Sequence, residues 1–137
     1  MPSWTYDQLE IGTKAKVVKT VTDDVIRDFA RLSLDDNPVH LDEEFAKSTQ
    51  FGKRIAHGIY SASLISAVLG ANMPGYGTIY LSQTLKFKKP VFMGDTLTAW
   101  GEVVEKGEKK RVRIKTWVEN QNGEVVTEGE ALTMLTQ

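Results

Sequence analysis

The sequence contains no cysteine and only two histidines, His40 and His57. The lack of cysteine excludes disulfides, thiolate nucleophiles and cysteine-ligated metal sites, and it is compatible with a reducing compartment such as the cytoplasm. Two histidines are too few for a three-histidine zinc site, although a mixed histidine and carboxylate site is not formally excluded. We therefore expect acid and base chemistry without a metal or another cofactor.

The sequence also lacks an excess of either charge and any long apolar run. It has 17 Lys+Arg against 18 Asp+Glu, so the net charge of -1 offers no general attraction to nucleic acid or to an anionic membrane. No run approaches the roughly 18 apolar residues of a membrane span, and the first residues do not resemble a secretory signal. These features predict a cytoplasmic protein without nucleic-acid or membrane partners.

No internal repeat, low-complexity tract or Gly/Ser/Pro-rich linker divides the sequence. Its 137 residues are enough for one domain with a sizeable core and too few for a second catalytic domain. We therefore treat residues 1–137 as a single domain.

Helical patterns occupy the first half of the sequence. Thr22 precedes two acidic residues and an apolar stripe, which predicts a capped amphipathic helix that must end before Pro38. The segment LDDNPVH should therefore be a loop directly after this helix, and Asp42 should cap a short helix after the loop. Residues 58–69 are apolar or small on nearly every face, which is typical of a helix surrounded by other structure.

The second half of the sequence alternates between apolar and polar residues with a period of two. This pattern of half-buried strands covers residues 79–87, 96–105, 111–120 and 124–135, and another strand is expected near residues 14–21. Asn122-Gly123 favours a type I′ hairpin turn between the last two strands. We predict an α+β fold in which a curved antiparallel sheet of about five strands wraps a long buried helix, a hot-dog shape.

Side chains capable of catalysis are concentrated in the predicted loop. Asp35, Asn37, Pro38 and His40 lie within six residues, so a carboxylate and an imidazole could converge on one water molecule. Histidine, with an ordinary pKa of about 6.5, suits the removal of a proton from that water near neutral pH. Taken alone, the same residues also fit a plain turn whose side chains bond to nearby backbone.

A second candidate feature is the beginning of the buried helix, at Ala56-His57-Gly58. Backbone N–H groups at a helix N-terminus can stabilise negative charge that develops on a carbonyl oxygen. Gly58 would let that oxygen approach closely, because glycine has no Cβ. Gly58 could equally serve only to begin a packed helix, and we interpret His57 as structural or orienting.

These segments resemble the (R)-specific enoyl-CoA hydratases of the MaoC-like hot-dog family. The run FARLSLDDNPVHLDEEFA is similar to the family signature, whose core is Asp-x-Asn-Pro-x-His. The stretches IAHGIYSASLISAVLG and IYLSQTLKFKKPVFMGDTLTA are similar to the family's central helix and following strand, in the same order. Some versions of the signature have a glycine before the aspartate, where this sequence has Leu34.

The resemblance implies a role for five residues. Asp35 and His40 stand at the catalytic aspartate and histidine and would activate the water, with the proton donor to the α-carbon left open. Asn37 would fix the loop, and Ser66, on the inward side of the buried helix, would hydrogen-bond near the aspartate and orient it. Gly58 would be the backbone oxyanion donor. The family likeness also implies a homodimer.

Two further sets of residues are candidates for substrate contacts. The cations that could meet the phosphates of coenzyme A, or else form only a solvated face, are Lys53, Arg54, Lys86, Lys88 and Lys89. The residues that could line an acyl pocket, or else only pack in the core, are Tyr60, Leu64, Leu69, Met73 and Tyr76. An acyl-carrier-protein thioester could replace acyl-CoA, because both present the same pantetheine arm.

The leading hypothesis is therefore a hydro-lyase that interconverts trans-2-enoyl-CoA and (3R)-3-hydroxyacyl-CoA. One alternative is a hot-dog acyl-CoA thioesterase, although the loop sequence argues against it. Another is a noncatalytic acyl-binding or dimerisation module that has the fold without the activity.

Overall fold

The computed structural model describes residues 3–137, so Met1 and Pro2 of the predicted domain lie outside the described residues. No helix within residues 3–137 is long and apolar enough to cross a membrane. The elements follow the order β1 (Lys14–Thr20), α1 (Asp23–Ser33), α2 (Pro38–Leu41), α3 (Glu43–Lys47), α4 (Gly58–Ala71), β2 (Ile79–Gln83), β3 (Lys86–Phe87), β4 (Thr96–Lys106), β5 (Arg111–Glu119) and β6 (Val125–Met134).

The helices begin and end where local capping residues place them. Thr22 caps α1 by accepting a hydrogen bond from the Val25 N–H at 3.3 Å, and Asp42 caps α3 in the same way. The predicted loop after α1 is only partly a loop, because residues 38–41 form the short helix α2. Pro38 occupies its first turn, where proline needs no N–H partner and its fixed φ suits a helix.

The sheet is antiparallel, and within the described residues it has six strands instead of about five. Its order is β1-β4-β5-β6-β2, and β3 also pairs with β6. The single predicted strand over residues 79–87 is divided at Thr84, which lies against the backbone of β6. An ideal Cβ on Gly129 would lie 1.8 Å from the Thr84 carbonyl oxygen, so only glycine permits this close crossing.

The hairpin between β5 and β6 differs from the predicted type I′ turn. A type I′ turn needs positive φ at both central residues, but of Asn122 and Gly123 only Gly123 has it, with φ of 75°. The Gly123 N–H donates to the Asn120 carbonyl at 3.0 Å, and the Asn120 N–H donates to the Glu124 carbonyl at 3.0 Å. The connection is therefore one residue longer than predicted, with the glycine as its last residue.

Helix α4 packs against β1, β4, β5 and β6, which confirms the predicted α+β arrangement of a helix on an antiparallel sheet. Ile65, Val68 and Leu69 on its inner face belong to the hydrophobic core. The helix is not surrounded within one chain, however, because Ile59, Ser63 and Ser66 are exposed on another face. The single chain therefore leaves part of the apolar surface of α4 exposed.

Candidate active site

The turn after α1 is built from short local hydrogen bonds. Leu34 ends the helix in the left-handed conformation, with φ of 67°, where some versions of the related signature have glycine. The Asp35 carboxylate accepts the Asn37 N–H at 3.3 Å, and the Asn37 side chain accepts the Val39 N–H at 3.1 Å as the cap of α2. The Asp-x-Asn-Pro-x-His sequence thus turns the chain sharply and presents Asp35 at the surface and His40 beneath it.

Burial favours the neutral form of His40, and a hydrogen bond determines which ring nitrogen carries the proton. The side chain is 7% exposed, and its Nδ1 lies 2.8 Å from the Ile55 carbonyl oxygen. Because a carbonyl only accepts, Nδ1 carries the hydrogen and Nε2 keeps its lone pair. Burial, and secondarily the nearby His57, lowers the pKa of His40, while the Ile55 carbonyl and Asp35 oppose this shift. At neutral pH the ring can therefore accept a proton at Nε2.

Asp35, His40 and His57 form a compact cluster. One carboxylate oxygen and one ring nitrogen from each histidine lie within 4.8 Å of one another. The two imidazole rings stack with centroids 3.8 Å apart and planes inclined by 26°. These residues are possible metal ligands, but stacked rings direct their nitrogen lone pairs side by side instead of toward one point. The arrangement fits shared acid and base chemistry better than shared ligation of an ion.

Residues 54–57 hold this turn from below. The Arg54 Nε–H donates to the His40 carbonyl at 2.7 Å, and the Ile55 N–H donates to the Val39 carbonyl at 3.3 Å. His57 Nε2 lies 2.8 Å from the Asp35 carbonyl, to which it donates. Two side chains and one backbone amide of this segment thus fix the carbonyls of the turn, and the next residue along the chain is Gly58.

The surroundings of Arg54 do not favour the predicted contact with coenzyme A. Its side chain is 9% exposed and forms an ion pair with Asp23, with an N···O distance of 2.7 Å. The guanidinium of Arg54, and then that of Arg27, holds the pKa of Asp23 below its usual range. Arg54 therefore joins α1 to the turn that contains Asp35 and His40. The sequence offers one hint of this burial, because Arg54 directly precedes the apolar and small residues Ile55 and Ala56.

Gly58 lies at the first position of α4, where its N–H has no intrahelical acceptor. A cavity of about 270 Å³ opens beside it, with walls from Phe51, Ile55, Ala56, Gly58, Ser61, Phe87, Lys88, Lys89, Pro90, Val91 and Thr127. Phe87 lies across Gly58, since an ideal Cβ there would be 3.1 Å from its ring. Neither Asp35 nor His40 contributes to the wall formed by these described residues.

Within one chain Ser66 does not lie on the inward side of α4, and its role beside Asp35 stays a prediction. It is exposed, and within residues 3–137 it makes no hydrogen bond to Asp35. Helical periodicity places Ser61 on the inner face instead, where it is 2% exposed and its hydroxyl donates to the Gly58 carbonyl at 2.8 Å. Ser61 also bonds to Thr127 at 2.7 Å, which anchors the start of α4 to β6.

The other predicted cations have different surroundings. Lys88 and Lys89 line the cavity beside Gly58, and they pair with Glu128 and Glu124 respectively. Lys86 lines a separate pocket on the sheet. The Lys53 ammonium lies 4.4 Å from the centre of the Phe92 ring. Of these four lysines, only Lys88 and Lys89 therefore lie beside Gly58, the candidate oxyanion donor.

The residues predicted for an acyl pocket are mostly core residues. Tyr60, Leu69 and Met73 are at most 6% exposed, and Leu64 packs against the same core. Tyr76 is 48% exposed and lies beyond the end of α4. None of the five lines the cavity beside Gly58, so within the described chain their surroundings favour packing.

Comparison with known proteins places this geometry in a family. A profile described as the MaoC like domain matches residues 8–126. The chain is 47% identical to an (R)-specific enoyl-CoA hydratase of Rhodospirillum rubrum, covering 95% of this chain and 90% of the relative. It is also 49% identical to the structure of an R-hydratase from Pseudomonas aeruginosa in the unliganded form, with a TM-score of 0.92 over 95% of this chain and 84% of that one.

A third relative is the structure of an (R)-hydratase from Aeromonas caviae involved in PHA biosynthesis, 44% identical with a TM-score of 0.90. The alignment covers 93% of this chain and 97% of that one. These similarities bear out the hot-dog fold that the sequence pattern predicted. The chain belongs to the MaoC-like domain family.

Proposed function

We propose that this protein catalyses the reversible addition of water to trans-2-enoyl-CoA, giving (3R)-3-hydroxyacyl-CoA. The observation that carries the proposal is the convergence of the Asp35 carboxylate and the His40 ring within 4.8 Å, on a turn bonded to the residues just before Gly58. The activities named for the relatives of 47% and 44% identity, both (R)-specific hydratases, support the same reaction and its stereochemistry.

Each step of the reaction has a residue suited to it. A water held between Asp35 and His40 gives a proton to His40 Nε2, whose lone pair is free because Nδ1 donates to Ile55. The water oxygen bonds to C3, and the electron pair of the double bond moves toward the thioester oxygen. The Gly58 N–H at the start of α4 stabilises the resulting enolate. Asp35 and His40 then return the proton to C2, so no other reactant is needed.

Lys88 and Lys89 are the cations we assign to the phosphates of coenzyme A. Both line the cavity beside Gly58, and their side chains are about half exposed. Replacing both with glutamate should raise KM for crotonyl-CoA several-fold at low salt and leave kcat nearly unchanged. Lys19→Glu, on β1, is the matched control and should not change KM. An unchanged KM in the double variant would remove this assignment.

We infer that the active form is a homodimer. The support is an exposed apolar surface on one chain: Ile59 on α4 is 54% exposed, Ile79 on the edge strand β2 is 41% exposed, and Phe87 beside the cavity is 52% exposed. A second copy would cover this surface and enclose the site, which one chain leaves open at Asp35. Sedimentation equilibrium should give twice the chain mass, and a monomer with full activity would contradict the inference.

The reaction is tested by offering the protein crotonyl-CoA and octenoyl-CoA and following the loss of conjugated enoyl absorbance. The product should be oxidised only by a dehydrogenase specific for the (3R) alcohol. The acyl-carrier-protein thioesters of the same acids should be turned over with a lower kcat/KM. Release of free thiol without loss of the double bond would favour a thioesterase, and binding without turnover would favour a noncatalytic module. The cytoplasmic location remains a prediction.

A further inference from the structure

His57 is buried in the candidate site in a way that capping and core packing do not explain. It is 3% exposed and occupies the N-cap position of α4, yet its side chain makes no capping bond within the described chain. Aspartate, asparagine and serine are the residues that normally cap a helix there. The ring instead contacts Asp35 through its carbonyl, His40 by stacking at 3.8 Å, and Phe29 at 5.0 Å.

One atom of this ring remains unsatisfied. His57 Nδ1 is buried and has no hydrogen-bond partner among residues 3–137. A buried polar atom without a partner is a destabilising feature, and a phenyl ring could fill the same space without it. A residue present only for packing would therefore be better replaced by an apolar one. The contact that requires imidazole is the hydrogen bond from Nε2 to the Asp35 carbonyl.

We propose that His57 is a positioning residue that fixes both members of the Asp35–His40 pair, the backbone of Asp35 by its Nε2–H and the ring of His40 by stacking. This inference rests on the proposed hydration reaction. Because His57 directly precedes Gly58, the same residue also fixes the distance between the acid–base pair and the oxyanion donor. Misplacement of reacting groups by about 1 Å can lower a rate by ~10²-fold.

Two substitutions separate the two contacts. His57→Phe keeps a stacking ring and removes both the donor and the unsatisfied nitrogen, whereas His57→Gln keeps a donor near the Nε2 position and removes the ring. We expect His57→Phe to lower kcat for crotonyl-CoA by roughly 10- to 100-fold with KM within about 3-fold and with an unchanged melting temperature. His57→Gln should recover part of that loss through its restored hydrogen bond.

Phe29→Leu is the matched control. Phe29 packs against His57 at 5.0 Å and against Tyr60 at 5.6 Å, so shortening it disturbs the same part of the core without removing a bond to Asp35 or the stack on His40. It should lower the melting temperature and leave kcat within about 3-fold of the unmodified protein. If the His57 variants behave like Phe29→Leu, with reduced stability and normal turnover, the proposal is overturned.

A second readout does not depend on activity. His40 is the only histidine left in His57→Gln, so its imidazole nitrogens give a single set of NMR signals. The groups that face this ring are His57, the Asp35 carboxylate, the Ile55 carbonyl and, through the His40 carbonyl, the Arg54 guanidinium. In His57→Gln we expect the titration midpoint of His40 to rise and the Nδ1–H tautomer to become mixed with the other one.

The two readouts distinguish the possible failures. If the unmodified protein hydrates no enoyl thioester, the proposed function fails, and the NMR comparison alone then decides whether His57 positions His40. If the midpoint and the tautomer of His40 are the same with and without His57, the positioning role is overturned even when turnover falls.

Discussion

Gly58→Ala isolates the candidate oxyanion donor with one added methyl group. Its ideal Cβ would lie 3.1 Å and 3.2 Å from two ring carbons of Phe87. The Gly58 amide itself stays in place at the start of α4, so the substitution changes access to the N–H and not its presence. The methyl group occupies part of the cavity through which a thioester oxygen would approach.

The expected effects on stability and on activity differ in size. Phe87 lines the cavity beside Gly58, so its ring has space to move by the few tenths of an ångström that the methyl group requires. That cost is below ~1 kcal/mol, and alanine is favoured over glycine in helices by up to about 1 kcal/mol. The free energy of unfolding should therefore change by less than about 1 kcal/mol. Loss of one oxyanion donor lowers kcat by about 10²- to 10³-fold, equivalent to roughly 2.7–4 kcal/mol.

The assay is steady-state hydration of crotonyl-CoA beside a urea unfolding curve, with two controls. Gly70→Ala adds a methyl group to the same helix, where nothing in the described chain lies within 4 Å, and it should keep full activity. Adding Phe87→Ala to Gly58→Ala removes the steric contact and should not restore turnover. A kcat within about 3-fold of the unmodified protein, or full recovery in the double variant, would refute the role of this amide.

Three further predictions follow from the surroundings of the turn. Arg54→Met removes the buried bond to the His40 carbonyl and the half-exposed pair with Asp23, and urea unfolding should show a loss of about 1–2 kcal/mol with a lower kcat and an unchanged KM. Burial lowers the pKa of His40 in the folded state, so as pH falls the unfolded chain takes up a proton on this ring before the folded chain does. The free energy of unfolding should therefore decrease as pH falls from about 7 to 5. His40→Asn, which keeps a donor for the Ile55 carbonyl, should flatten this slope, and an unchanged slope would contradict the stated cause. Leu34→Gly should raise the free energy of unfolding by about 1 kcal/mol, since Leu34 has φ of 67°, and a loss of stability would show that its backbone is not strained.

The sequence predicts the local elements well because their causes are local. Thr22 before two acidic residues caps α1, and the alternation in residues 96–105 becomes β4, in which every second residue from 97 to 103 is buried. The turn with Asp35 and His40 is also local in sequence, but its interpretation as an acid–base site rests on the resemblance to the MaoC-like family and not on spacing alone. The predictions that failed depend on how distant segments approach one another. Thr84 divides a strand because its backbone crosses Gly129, and no residue near Thr84 in the sequence predicts this contact.

The roles of individual side chains in the site were harder to predict for the same reason. Arg54 lies in a polar stretch and suggests a surface cation, but tertiary structure buries it against the His40 carbonyl. Ser66 matches a motif, yet helical phase places Ser61 on the inner face instead. His57 is separated by 22 positions from the Asp35 carbonyl to which it donates, so only the folded chain reveals that contact.

The most direct measurement is the turnover number for crotonyl-CoA in Asp35→Asn and His40→Asn, compared with that of the unmodified protein. The comparison requires that the melting temperatures of the variants match that of the unmodified protein. Each variant removes one proton acceptor of the cluster while keeping the size of the side chain similar. We expect kcat to fall by at least ~10²-fold in both variants. Near-normal hydration in the two folded variants would contradict the assignment of the reaction to this pair.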